Sequence, residues 1–150
     1  MKKIALSLIA VFSLWGASAA ELEWLTDLAK AKSQAKAENK LVLMDFTGSD
    51  WCPPCKALKK NVFSSEEFAT FAKANLVLVE VDFPHTKSVM EKQSAELKKA
   101  NEALSTKFDI ESFPTVVILS SNGKQLSKES GYAGASAKEF IANLEKFLKK

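Results

Sequence analysis

One hundred and fifty residues, 47% of them hydrophobic, suffice for one compact domain with a single core and are too few for two ordinary ones. The formal charge is +3, and taking Lys2 and Lys3 away with a cleaved leader leaves +1, which gives no case for nucleic-acid binding. Lysines that alternate with Glu and Asp along the expected helices make a solvated surface, not a binding patch.

Met1 to Ala20 has the three parts of a secretory signal: Lys2 and Lys3, an apolar run from Ile4 to Gly16, and Ala17-Ser18-Ala19 as a small-residue cleavage site. The run is too short for an ordinary membrane span and a charged segment follows it. Cleavage after Ala19 or Ala20 is therefore expected, with no stable membrane insertion afterwards and a single domain over 21–150. No cysteine stands at the cleavage site to carry a lipid. Export would put the protein in the periplasm or outside the cell, where disulfides persist unless something supplies electrons.

Trp24 to Glu38, rich in Ala, Lys and Leu, reads as a helix ended by Asn39. Leu41 to Phe46 is a central strand, and Thr47 to Asp50 a turn into a helix around Lys56 to Lys60. Ser64 and Glu67 have capping-box spacing for a helix running to about Ala74. Leu76 to Asp82 is nearly continuous in apolar residues, as expected of a strand covered on both faces. Thr86 to Lys107 reads as one long helix on the spacing of Met90, Gln93, Leu97, Ala100, Leu104 and Phe108. A loop over Ile110 to Pro114 leads to a strand at Thr115 to Leu119, an Asn122-Gly123 turn and a short strand at Gln125 to Ser130. Ser136 and Glu139 cap a closing helix to Leu148.

Between the first strand and its helix stands Trp51-Cys52-Pro53-Pro54-Cys55, which holds both cysteines of the chain. Cys52 falls where a helix begins, so unpaired N–H groups and the positive end of the helix dipole favour its thiolate, the species that attacks disulfides. Pro53 and Pro54 suit the first helical turn but remove donors, leaving the N–H groups of Cys55 and Lys56 nearest the sulfur. That predicts moderate activation, and the two rings hold the sulfurs close when reduced; both effects favour a reductant over a strong oxidant. Cys52 is expected to turn its sulfur to solvent. A zinc site needs about four ligands, and only His85, which sits in a polar loop and reads as surface, stands beyond the cysteines, so no metal is expected. A structural disulfide over so small a loop would constrain little of the unfolded chain. Thiol–disulfide chemistry is the reading that remains, with no cofactor.

The order of elements, with Asp45-Phe46 and WCPPC after the first core strand, Phe113-Pro114-Thr115 before the third, and then Asn122-Gly123, resembles the thioredoxin superfamily over about residues 24–148. The run from Asp45 through Gly48 to Cys55 is similar to an exported thioredoxin-like branch that also resembles the C-terminal domain of periplasmic electron transporters. The resemblance implies an α/β thioredoxin fold, a central mixed sheet flanked by helices. It implies Cys52 as the attacking thiol, Cys55 as the resolving thiol, Pro114 as the family's cis-proline beside an extended substrate segment, and Trp51 with Phe113 as an apolar rim. Ordinary packing of Trp51 and Phe113 is the alternative reading for those two. Asp45 matches the family's buried aspartate, which assists proton transfer at the resolving cysteine; one extra residue separates it from Cys52, and the lysine that accompanies it in thioredoxin falls on Leu78. Leu58 stands where cytochrome-maturation relatives carry an acid. The segment between Asp82 and Phe108 is longer than in thioredoxin and is a candidate for partner choice. The expectation is a monomeric exported oxidoreductase that reduces disulfides in exported proteins with electrons from a membrane donor domain. An oxidase or isomerase, or a non-catalytic binding module, are the alternatives.

Overall fold

In a computed structural model that describes residues 22–149, the chain builds one five-stranded mixed sheet. The expected leader lies outside the described residues. The strands are β1 Trp24–Leu25, β2 Leu41–Thr47, β3 Leu76–Asp82, β4 Thr115–Leu119 and β5 Gln125–Ser130, hydrogen bonded in the order β1-β3-β2-β4-β5. β2 runs parallel to β3 and antiparallel to β4. Every residue of β2 is buried, Asp45 and Thr47 among them, as in a mainly apolar strand covered on both faces.

Alternation along the strands sorts the core into two layers. Val42, Met44 and Phe46 pack with Ala31 and Ala35 of α1 (Leu28–Glu38) and with Phe108, just past α5 (Ala95–Lys107). On the opposite face Leu41 and Leu43 pack with Leu58, Val62 and Phe63, with Phe68 and Ala72 of α3 (Glu66–Asn75), and with Ile141 and Leu144 of α6 (Ala137–Leu148). Leu58 ends α2 (Pro53–Leu58), and a π-helical turn over Lys59–Phe63 carries the chain on. The sheet flanked by helices agrees with the expected architecture.

Three local readings are corrected. Trp24 and Leu25 pair with Leu78 and Val79 as β1, and α1 starts only after Asp27, whose carboxylate accepts the N–H groups of Ala29 and Lys30. Ser65, not Ser64, caps α3, its hydroxyl accepting the Phe68 N–H. The helix begins at Pro53 behind Cys52 as its N-cap, as expected. The single helix expected over Thr86 to Lys107 is two, α4 (Lys87–Met90) and α5, because Gln93 turns its amide to the Asp82 carbonyl at 3.1 Å and Ser94 caps a new helix through the Leu97 N–H. Asn39 closes α1 in the left-handed region, at φ 53°. Ser136 and Glu139 form the expected capping box.

Candidate active site

β2 ends at Thr47, and the turn 48–51 delivers the chain into α2 with Cys52 as its N-cap, the Cys52 N–H donating to Gly48 O at 2.9 Å. Cys52 and Cys55 are joined as a disulfide. Cys52 Sγ accepts the Cys55 N–H at 3.3 Å. The prolines at the first two helical positions have no N–H to add. Lys56, the other expected donor, instead gives its N–H to the Cys52 carbonyl at 3.1 Å. One backbone donor and the start of a helix thus face the sulfur. Cys52 is 3% exposed and Cys55 4%, which corrects the expectation that the Cys52 sulfur faces solvent. What separates the two sulfurs is therefore position at the cap and not exposure.

Beside the disulfide lies an aromatic rim. Trp51 is 38% exposed, donates its indole N–H to Phe83 O at 2.7 Å, stacks on His85 at 4.3 Å and 7°, and meets Phe113 edge-on at 5.9 Å. Burial in a core is therefore not what Trp51 serves. Phe113 also packs on Phe83 at 5.2 Å. The Phe113–Pro114 peptide is cis, and Pro114 is buried with its carbonyl taken by the Gly131 N–H at 2.7 Å. A Cβ at position 48 would lie 2.5 Å from Cε2 of Trp51, so the indole keeps this place only against a glycine.

The motif turn is sewn to the segment after β3. Asp82 accepts the Ser49 N–H at 2.9 Å and the Ser49 hydroxyl at 2.6 Å. Asp50 accepts the N–H groups of Thr86 and His85, and hydrogen bonds from Thr86 first, then His85, pull its carboxyl down to about 2. Lys56 Nζ donates to Asp50 O at 2.7 Å. These bonds bring the long segment after Asp82 up to the cysteines, with Met90, Gln93 and Asn101 lining a hollow of about 220 Å³ beside Phe83 and His85.

Asp45 shares its face of β2 with Leu41 and Leu43, the face that α2 covers. It is 7% exposed, and its Oδ1 has no hydrogen-bond partner. Burial pushes its carboxyl up to about 7, with Glu80 and Asp82 adding to the rise and Lys59 opposing it. Asp45 therefore lies inside the protein and not on its surface. The β3 residue opposite Asp45 is Glu80; Leu78 pairs with Leu43, so the expectation that Leu78 stands beside the aspartate is corrected by the strand register. Lys59 Nζ lies 3.8 Å from Glu80 Oε2. Among the described residues no group of three or more His, Cys, Asp or Glu side chains could hold a metal ion.

Of the residues expected at the site, the structure joins Cys52 to Cys55 and sets Trp51 against Phe113, which precedes the cis Pro114. Sequence reasoning missed Phe83, Asp50, Glu80 and the contact of His85 with Trp51. His85 is exposed as expected, yet its ring extends the rim. An aromatic pair Phe83 and His85 directly after an apolar strand is the one signal that pointed there.

The chain matches the model of the thioredoxin-like domain over residues 28–148. It is 32% identical over 132 residues to the disulfide bond reductase DsbH of Chlamydia pneumoniae, covering 88% of this chain and 76% of that protein. A solved structure titled DsbH oxidoreductase superposes with a TM-score of 0.78 at 29% identity, covering 95% of each chain. The thiol:disulfide interchange protein DsbD of Campylobacter jejuni is 28% identical over 113 residues, 75% of this chain but only 18% of that protein. This chain thus spans a small part of DsbD's length. By the match over most of its length and the cysteine pair at the start of α2, the chain belongs to the thioredoxin-like family and is a thiol–disulfide oxidoreductase.

Proposed function

We propose that the protein is an exported protein-disulfide reductase. The observation that carries this reading is Cys52 at the cap of α2, its sulfur facing a single backbone donor behind two prolines. In the reduced protein the Cys52 thiolate attacks a substrate disulfide, forms a mixed disulfide and expels one substrate thiolate, which takes a proton from water. Cys55 then gives its proton to Asp45 and attacks Cys52 Sγ, breaking the mixed bond and releasing the second substrate thiolate. Two electrons have moved to the substrate, and the protein is left with the Cys52–Cys55 disulfide. Trp51, Phe113 and Pro114 receive the substrate segment around the attacked sulfur. The name of the Chlamydia relative, disulfide bond reductase, agrees with this direction.

A leader of secretory type at 1–20 supports export, and the domain at 21–150 acts as a monomer on exported proteins that carry disulfides. Regeneration calls for a dithiol donor, and a membrane protein with a donor domain is the class that delivers electrons outside the cytoplasm. Among the described residues no helix is long and apolar enough to cross a membrane.

Insulin reduction by the purified domain, with dithiothreitol as electron source, tests the activity. Wild-type protein is expected to reduce insulin, and Cys52→Ser to lose the activity. Cys55→Ser is expected to accumulate mixed disulfides with its substrates. Insulin left intact by wild-type protein would overturn the reading in favour of a binding module.

A further inference from the structure

Asp45 is enclosed, and a base that takes a proton from Cys55 on every turnover must also lose it. Its Oδ1 meets no partner among the described residues. The polar side chain paired with it across the sheet is Glu80, half-buried, with 32% of its side chain exposed. Even-numbered residues of β3 share this face: Leu76 and Leu78 are in the same core layer as Leu41 and Leu43. Lys59, 65% exposed, stands over Glu80 from the π turn that continues α2. Two carboxylates thus lie side by side under the cysteine helix with one cation between them and water. The other charged group that bears on Asp45 is Asp82, whose two oxygens are already taken by Ser49; from β4 the residue paired with Asp45 is the apolar Val116.

We propose that Glu80 and Lys59 are positioning residues for the second half of the reaction: Glu80 passes the proton between Asp45 and solvent, and the pair sets how readily Asp45 takes it from Cys55. The proposal rests on the reading of Asp45 as the base for Cys55. When the Cys55 S–H proton moves to Asp45, the Cys55 sulfur forms its bond to Cys52 Sγ and the Cys52–substrate bond breaks. Asp45 is then neutral, and Glu80, ionised beside Lys59, accepts the proton and yields it to water. A fixed negative charge on Glu80 holds Asp45 basic enough to act, while Lys59 keeps Glu80 ionised. Burial raises the Glu80 carboxyl and Lys59 opposes that rise, which supports the same division of labour.

The test uses the domain with both cysteines and two conservative variants, Glu80→Gln and Lys59→Met. The ionisation of Asp45 is followed by its carboxyl carbon in NMR of the oxidised protein, and resolution of a preformed mixed disulfide is followed in single turnovers across pH. Glu80→Gln is expected to move both the Asp45 midpoint and the acidic limb of the rate to lower pH, and Lys59→Met to move both to higher pH, each by about half a unit or more. On the limb that is about a threefold change in rate, of opposite sign in the two variants. Midpoints and limbs that stay within a tenth or so of a unit of the wild type in both variants, while Asp45→Asn still slows resolution, would overturn the proposal and leave the base in place. Resolution unchanged in Asp45→Asn would instead remove the base reading and this proposal with it.

Discussion

Replacing Asp45 by Asn should stabilise the oxidised protein at alkaline pH, although it removes a buried residue's charge and touches no substrate. In the folded protein burial raises the Asp45 carboxyl from 3.8 to about 7, so folding favours its protonated form. Between the two values the native state holds a proton that the unfolded chain has given up, and stability falls as pH rises until Asp45 ionises in both states. Roughly three pH units at ~1.4 kcal/mol each is a cost of about 4 kcal/mol above neutrality, of which about 2 to 3 kcal/mol accrues between about pH 5 and pH 8. Asn keeps the shape and the unpartnered oxygen but cannot ionise. Urea unfolding of both proteins at about pH 5 and pH 8 reads the difference. The variant is expected to gain about 2 kcal/mol or more over wild type between the two pH values. An advantage that does not change with pH, or a variant less stable than wild type at pH 8, would refute the placement of Asp45 as a buried acid with a raised carboxyl.

Gly48→Ala would drive a methyl into the Trp51 indole, and the tryptophan must leave its hydrogen bond to Phe83 O; a loss of about 1 to 2 kcal/mol in urea unfolding and a shift in tryptophan fluorescence are expected. Asp50→Ala removes the acceptor for the His85 and Thr86 N–H groups, so amide exchange at those two residues should rise while exchange in β2 and β3 stays as in wild type. In the reduced protein at neutral pH, iodoacetamide should label Cys52 well ahead of Cys55, because Cys52 alone stands at the helix cap; mass spectrometry of partly labelled protein showing equal rates would remove that distinction.

The parts of this fold that could be read from the sequence are those in which one local signal met no competitor. β3 was bounded to the residue because Leu76 to Asp82 is an apolar run between a helix-closing Asn75 and a Phe-Pro pair. α6 was bounded by its capping box, and α1 by Asn39 at its end. Where two signals compete, tertiary contacts decide. Ser64 with Glu67 offered a box, but Ser65 supplies the cap; Met90 to Phe108 has helical spacing, but Gln93 gives up its place to bond the end of β3. β1 is two residues long and owes its existence to pairing with Leu78 and Val79, more than fifty positions away. The site divides in the same way. Both cysteines and the cis-proline lie in contiguous motifs, whereas Glu80 reaches Asp45 only through the register of two parallel strands, and Phe83, Asp50 and His85 reach the site through hydrogen bonds that join the motif turn to the segment after β3.

The central claim is that this dithiol gives electrons away, and its equilibrium with glutathione measures that tendency directly. One backbone donor at Cys52 Sγ, two prolines without N–H groups and no cationic side chain between the cysteines leave the thiolate only moderately stabilised. The fraction of Cys52–Cys55 disulfide across a series of reduced and oxidised glutathione ratios is expected to give a potential near that of thioredoxin, about −270 mV, with the pair largely oxidised in a mildly oxidising buffer. A pair that stays largely reduced in that buffer, with a potential near the −120 mV or so of a dedicated oxidase, would contradict it.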